Sequence, residues 1–201
     1  MADSPTVLLI LAGPAGVGKS TLCERLVREV PGFERVITAT TRPPRPNEVN
    51  GRDYHFFTEA EFDARLAAGD FLEWAWVHRK FRYGTPKSSV LERLKHTCLV
   101  MNIDVQGVRS IRAAAENLPE LKRRLVTMFV APDSMDVLRE RLQGRSPVSE
   151  EELARRLQSA EFEMSERTAY DYVIHSKTKE QDFRALLDFW HQAKAKLGHG
   201  C

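Results

Sequence analysis

The stretch GPAGVGKST, which follows directly on the apolar run TVLLILA, carries the clearest chemistry in the chain. It matches the pattern G-x-x-x-x-G-K-[ST] through Gly13, Gly18, Lys19 and Ser20. Glycines let a backbone wrap an anion with its N–H groups turned inward, and the following helix N-terminus adds partial positive charge. A lysine at this spacing reaches the β- and γ-phosphates of a nucleotide, and the serine hydroxyl can bind Mg²⁺. The stretch therefore predicts a nucleoside triphosphate site. Its predicted members are Gly13, Pro14, Ala15, Gly16, Val17, Gly18, Lys19, Ser20 and Thr21.

A second polar stretch, TATTRPPRPNEVNGRDYHF, combines arginines with hydroxyl groups. Arg42 and Arg45 stand three positions apart, with Thr38 before them and the phenol of Tyr54 after them. Guanidinium forks beside hydroxyl groups bind a phosphate monoester well. A solvated basic loop has the same composition, so the stretch alone leaves both interpretations open.

A third set of arginines lies further along the chain. Arg141 and Arg145 are four positions apart on one predicted helix face, and Arg156 lies in the next helix. Phosphoryl transfer requires that the charge on the moving group be neutralised and that water be excluded. A mobile segment that carries arginines over both nucleotides would meet both needs. Solvated helix arginines paired with Glu140 or Glu152 are the alternative.

Alternating strands and helices are predicted to position these side chains. Apolar runs predict strands over 7–11, 71–77, 98–104, 125–131 and 170–175. Apolar periodicity and end signals predict helices over 19–30, 58–69, 134–144 and 179–196, one more through Ile111 and Ala115, and one after a cap at Ser149. Buried strands that alternate with helices favour an α/β fold with a mostly parallel sheet flanked by helices.

The region from about residue 36 to 88 interrupts that alternation. It begins with a predicted short strand over 35–39, and the turn-rich segment after it contains Asn50-Gly51, which predicts a hairpin arm. We therefore expect a small inserted subdomain.

Composition sets the outer bounds. The chain has 201 residues, 42% of them hydrophobic and 29% charged, which is ordinary for one globular domain. A net charge of +2 does not favour a nucleic-acid partner. Three scattered cysteines suit a reducing compartment, and no targeting or membrane-spanning segment is recognised. A cytoplasmic protein that binds neither nucleic acid nor membrane, as a monomer or weak homodimer, is expected.

The arginine stretch strongly resembles the guanylate kinase family, and the resemblance continues through FLEWAWVH, YGTP, IDVQG and LRERLQGR, over about residues 7–174. It implies a P-loop kinase fold with an inserted nucleotide-monophosphate-binding subdomain and a helical lid, all within one domain over 1–201. The implied divisions are a core over 5–35, 89–140 and 170–198, a GMP-binding subdomain over 36–88, and a lid over about 141–160.

The resemblance also implies roles for individual residues. The phosphate of GMP would be held by Thr38, Arg42, Arg45, Tyr54 and Tyr83. Guanine would be recognised by Glu73, Thr85 and Asp104. Guanine presents two donors, N1–H and the 2-amino group, and a buried carboxylate accepts both, whereas adenine would leave it unsatisfied. The arginines that bridge the phosphates would be Arg141, Arg145 and Arg156, acting with Lys19.

The chain departs from the family pattern in three places. The segment before Tyr83 is one residue longer and lacks the usual glycine, Asn102 stands where an acid is usual, and Ser176-Lys177 replaces an asparagine–aspartate pair. The sequence thus predicts transfer of the γ-phosphoryl group of MgATP to GMP, and to dGMP, giving ADP and GDP. A kinase of the same fold acting on another phosphorylated metabolite, and a non-catalytic interaction module, are the alternatives.

Overall fold

The structure is a computed structural model, and it describes residues 6–77, 80–145 and 149–198. The strands in these ranges are β1 (Leu8–Ala12), β2 (Phe33–Arg35), β3 (Ala39–Thr40), β4 (His55–Phe56), β5 (Phe71–Val77), β6 (Phe81–Pro86), β7 (Cys98–Asn102), β8 (Leu125–Pro132) and β9 (Tyr172–Ser176). The α-helices are α1 (Lys19–Glu29), α2 (Glu59–Ala67), α3 (Ser88–Leu91), α4 (Val105–Glu116), α5 (Pro119–Arg124), α6 (Met135–Arg145), α7 (Glu150–Ser165) and α8 (Lys179–Gly198).

Five strands form the main sheet, in the order β2-β7-β1-β8-β9, and every pair is parallel. Leu8 of β1 is in register with Leu99 on one side and with Leu125 on the other. The carboxyl ends of all five strands therefore lie at one edge of the sheet, where α/β proteins bind ligands. The predicted α/β fold with a parallel sheet is confirmed.

The core lies on both faces of this sheet, because successive residues of β1 point to opposite sides. Leu9 and Leu11 pack into the layer that contains α1 and α8, whereas Leu8 and Ile10 pack into the layer that contains α4. All residues of β1 are fully buried. β1 is therefore packed on both faces, and the glycine loop begins directly after this fully buried strand.

A second sheet, in the order β4-β3-β6-β5, is formed by strands between residues 39 and 86. The single strand predicted over 35–39 is wrong. Val36 N–H is the last to bond to β7, through Val100 O at 3.0 Å, and the chain then joins the second sheet at Ala39. The predicted hairpin arm is also wrong, because β3 and β4 run parallel to each other and β3 pairs antiparallel with β6.

Two of the predicted helix starts are confirmed, whereas the helix predicted to end at Gly144 continues to Arg145. Thr58 and Glu61 form a reciprocal capping box at the start of α2, and Ser149 Oγ accepts from the backbone N–H of Glu152 at the start of α7. The longer segment before Tyr83 includes residues 78 and 79, which lie outside the described residues. Within those residues, no helix is both long and apolar enough to cross a membrane.

Candidate active site

The glycine loop joins β1 to α1 in a conformation that requires glycine. The φ angles are +130° at Gly13, +88° at Gly16 and +101° at Gly18. A Cβ atom at Gly13 would lie 2.3 Å from the carbonyl oxygen of Val130 in β8, which is far inside contact distance. The loop is therefore pressed against the neighbouring strand, and its backbone path excludes side chains at the turns.

Lys19 crosses the mouth of this loop. Its Nζ donates to Gly13 O at 2.5 Å and to Pro14 O at 2.9 Å. Lys19 and Ser20 open α1 and line a cavity of about 1240 Å³, together with the rest of the loop from Ala15 to Thr21. An ammonium held at the mouth of a cradle of N–H groups suits the polyphosphate of a nucleotide.

This cavity is called the donor cavity below. Its lining also includes Arg141, Lys177 and Asp182, which come from the second half of the chain. Arg141 donates to Ser176 Oγ at 3.0 Å and to Lys177 O at 3.2 Å. Asp182, 7% exposed, in turn accepts from Ser176 Oγ at 2.8 Å and from the Lys177 N–H at 2.7 Å. The Arg141 fork is thus held by neutral acceptors, so its charge remains available to phosphate.

The other two predicted lid arginines are placed differently. Arg156 Nε donates to Glu152 Oε1 at 2.9 Å, and Arg156 is not among the described residues that line the donor cavity. The side chain of Arg145 lies outside the described residues.

A second cavity, of about 220 Å³, opens between the carboxyl end of the main sheet and the second sheet. The structure brings five of the predicted acceptor residues to its walls. These are Thr38, Tyr54, Glu73, Tyr83 and Asp104. Asn102, the last residue of β7, lines both cavities, so the two sites share a wall.

Glu73 lies on the wall of this second cavity, called the acceptor cavity below. Thr85 Oγ1, fully buried, donates to Glu73 Oε1 at 2.6 Å, while Asp104 caps α4 by accepting from Gly107 N–H at 2.8 Å. Burial raises the pKa of Glu73 to about 7, with a smaller contribution from the negative charge of Asp104 and an opposing one from the Thr85 hydrogen bond. The cavity therefore holds a desolvated carboxyl group that titrates near neutral pH.

A pH dependence of acceptor binding follows from the raised pKa of Glu73. For GMP, the acceptor that the sequence predicts, the neutral acid below pH 7 would be a poorer partner for the two guanine donors, so the KM is expected to fall roughly tenfold from pH 6 to pH 8. The change in KM is measured from initial rates at saturating ATP. The phosphate of GMP also titrates, near pH 6, and contributes a smaller pH dependence of its own. The Glu73→Gln variant is the control, because its KM should show only the dependence that comes from the phosphate. Equal pH profiles for the two proteins would contradict the prediction.

Arg42 is near this cavity but does not line it. Its fork makes a two-bond ion pair with Glu48, NH1 to Oε2 and NH2 to Oε1, both at 2.9 Å. Its Nε donates to Tyr83 OH at 3.1 Å, and NH1 also donates to Pro43 O at 2.7 Å. Glu48 further accepts from the backbone N–H of Arg45 at 2.7 Å, whereas Arg45 itself is exposed.

The prediction from sequence missed Glu48 as the partner of Arg42, and it also missed Arg35, a cavity-lining residue at the end of β2. Spacing offered a signal for Glu48, three residues after Arg45, but none for Arg35.

Two buried oxygens have no hydrogen-bond partner among the described residues, Asn102 Oδ1 and Glu163 Oε2. Burial raises the pKa of Glu163, and the nearby charge of Lys19 opposes that rise.

The residues present fit a nucleotide-bound Mg²⁺. Ser20 supplies a hydroxyl beside the loop, and Asn102 presents an unpartnered amide oxygen to the shared wall of the two cavities. Hard cations bind such oxygens and retain several waters when nucleotide phosphates supply the remaining ligands. In the part of the chain that the structure describes, no cluster of three His, Cys, Asp or Glu residues could hold a metal by itself.

A glycine loop at the end of a central parallel strand, with a lysine across its mouth and a second cavity at the same edge, defines the class of P-loop kinases. A sequence model of the guanylate kinase family matches residues 6–193. The chain belongs to the guanylate kinase family.

Similar proteins cover nearly the whole chain. It is 42% identical to the guanylate kinase of Symbiobacterium thermophilum, over 84% of this chain and 76% of that protein. It is 41% identical to the guanylate kinase of Bifidobacterium longum, over 95% of each. The crystal structure of guanylate kinase from Anaplasma phagocytophilum matches with a TM-score of 0.69 and 27% identity, over 96% of this chain and 88% of that one. The resemblance drawn from the motifs is confirmed.

Proposed function

We propose that this chain transfers the γ-phosphoryl group of ATP to GMP, and to dGMP, giving ADP and GDP. The observation that carries the proposal is Glu73, a half-buried carboxyl bound to Thr85 in a cavity that shares a wall with the glycine-loop site. Guanine offers N1–H and the 2-amino group side by side, which matches a carboxylate acceptor. Asp104, on the same cavity wall, is proposed as the second group that contacts the base.

The acceptor phosphate is proposed to meet the hydroxyl groups of Thr38, Tyr54 and Tyr83. The two tyrosine rings stand 6.0 Å apart, edge to face, on the wall of the cavity. Arg42 supports that wall through Tyr83 OH, and Arg45 is an exposed guanidinium at the end of the same loop. Arginine and hydroxyl donors together fix the phosphate so that one of its oxygens faces the donor.

The donor polyphosphate is proposed to lie in the glycine loop, with Lys19 displaced from the loop carbonyls onto the β- and γ-phosphates. Ser20 would hold the Mg²⁺ of the nucleotide, which would neutralise charge on those phosphates. Lys19 together with Arg141, Arg145 and Arg156 stabilises the charge of the transferring group. No residue has to act as a strong base, because positioning and electrostatics supply most of the rate.

We further propose that residues 36–88 form the GMP-binding subdomain and that about 141–160 form a lid, which brings Arg156 and Arg145 to the phosphates on closure. In the structure Arg156 is only half-buried and its partner Glu152 lies on the same helix, which is compatible with exchange of partners. A cytoplasmic location, where ATP and GMP are available, and a monomer or weak homodimer complete the proposal.

The function is tested by a coupled assay of ADP release with GMP, dGMP, AMP, CMP and UMP as acceptors at equal concentration. The expected kcat/KM for GMP exceeds that for each of AMP, CMP and UMP by at least about a hundredfold. Comparable rates with AMP or a pyrimidine nucleotide would contradict GMP as the acceptor. ATP binding without turnover of any of them would favour an interaction module.

A further inference from the structure

The acceptor cavity needs positive charge, and Arg42 supplies little of it in this structure. An arginine has five N–H groups. Four of those of Arg42 are used: one on Tyr83 OH, one on Pro43 O and two on Glu48. The side chains of Arg42 and Glu48 are 10% and 19% exposed, so they form a nearly buried pair of no net charge. Arg42 can offer an incoming phosphate one N–H and no free fork.

Arg45 does not supply the missing charge from within the cavity either. Its backbone N–H is bound to Glu48, it is exposed, and it is absent from the described residues that line the cavity. In this structure Arg42 and Arg45 are therefore not among the described residues that line the cavity, although Arg42 contacts it through Tyr83.

Arg35 is the basic residue that does line this cavity, among the residues that the structure describes. It ends β2 at the ligand-binding edge of the main sheet and is exposed. Within residues 6–77, 80–145 and 149–198, its guanidinium makes no ion pair or hydrogen bond. A guanidinium on a cavity wall that makes no hydrogen bond to a carboxylate keeps its N–H groups available to a ligand.

The charge of Arg35 acts on titratable groups on two sides of it. Asp53, on the wall of the same cavity, feels its charge, although a hydrogen bond from Val49 N–H is the main reason why the pKa of Asp53 is lowered. On the other side, Arg35 and Lys19 both act on Cys23 of α1, whose pKa burial raises to about 12. Arg35 thus lies between the acceptor loop and the helix that begins with Lys19.

We infer that Arg35 is a further acceptor-binding residue, whose guanidinium contacts the phosphate of the nucleoside monophosphate in this cavity. The inference rests on the proposed function, since it needs a phosphorylated acceptor in this cavity. Arg35 supplies a guanidinium with unused N–H groups, which the Arg42–Glu48 pair lacks, and the hydroxyl groups of Thr38, Tyr54 and Tyr83 lie on the wall of the same cavity.

The test compares Arg35→Met with Arg35→Lys and with Arg184→Met, which removes an exposed arginine from α8. Calorimetry gives the dissociation constants for GMP and MgADP, and competition against GMP gives that for guanosine. A charge-assisted contact predicts that Arg35→Met weakens GMP binding at least about tenfold. Guanosine and MgADP binding should change less than about twofold, Arg35→Lys should retain part of the GMP affinity, and Arg184→Met should match the wild type.

Three results would overturn the inference: a change in GMP affinity below twofold, an equal loss for guanosine, or a loss that falls on MgADP. The first shows that Arg35 does not contact the acceptor, the second that it shapes the base pocket, and the third that it serves the donor. A failure of the proposed function would give a different result. In that case the wild-type protein itself would bind or phosphorylate GMP no better than the other monophosphates.

Discussion

Replacing Lys19 by alanine is expected to lower kcat for GMP phosphorylation by about a thousandfold or more. The ammonium lies at the mouth of the loop, where it bridges Gly13 O and Pro14 O, and a bound polyphosphate offers it stronger acceptors. Removal of one preorganised charge at a transferring group typically costs two to three orders of magnitude in rate. Stopped assays that follow ADP at saturating GMP and ATP measure the loss.

The matched control is Lys95→Ala, which removes an exposed lysine paired with Glu92 far from the loop. It should retain wild-type rates. Circular dichroism on Lys19→Ala should show an intact fold, because the helix that begins at Lys19 is held by Leu22 and Leu26 in the core. A loss of kcat below tenfold would show that Lys19 does not stabilise the transferred group.

The Glu73→Gln substitution is expected to lower kcat/KM for GMP about a hundredfold and to leave the low activity with AMP unchanged or higher. The amide can still accept from Thr85 Oγ1, so the wall of the cavity is retained. It presents an NH₂ donor where guanine presents donors, and a buried donor facing a donor loses both hydrogen bonds. Parallel kinetics with GMP and AMP give the change in selectivity. Retained preference for GMP would remove Glu73 as the group that recognises guanine.

The same variant is expected to be more stable than the wild type at pH 8, by on the order of 1 kcal/mol. Because the folded-state pKa of Glu73 is about 7, above its usual value, the native state binds more protons than the unfolded state between pH 4.5 and 7. Stability therefore falls as the pH rises through that window. Urea unfolding at pH 4 and pH 8 should show the gain only at pH 8. The control Asp188→Asn, at an exposed carboxylate of α8, should show none.

The glycine loop and the parallel sheet could be predicted from sequence because their determinants are local. β1 and β7 are continuous apolar runs, and the loop between β1 and α1 is defined by spacing alone. The acceptor residues were reached through family motifs, and five of them do line one cavity.

The insertion could not be predicted in the same way, because non-local pairing determines it. β3 and β4 have two residues each, too few for a periodic pattern, and they are strands only because Thr40 pairs with both Phe56 and Tyr83. β6 contains Gly84 and Pro86, which gave no strand pattern. The neutral pair of Arg42 with Glu48 and the approach of Arg35 to the acceptor residues likewise depend on folding and not on spacing.

The central position of β1 also bears on how the protein is made. β1 is complete after residue 12, yet one of its two partners, β8, begins at Leu125. At about 5–20 residues per second, synthesis takes on the order of ten seconds to supply that partner. Until then β1 can pair only with β7, and the loop at its end lacks the Val130 carbonyl that it packs against. The nucleotide site around the glycine loop is therefore complete only after β8 and the later residues that line it have been synthesised.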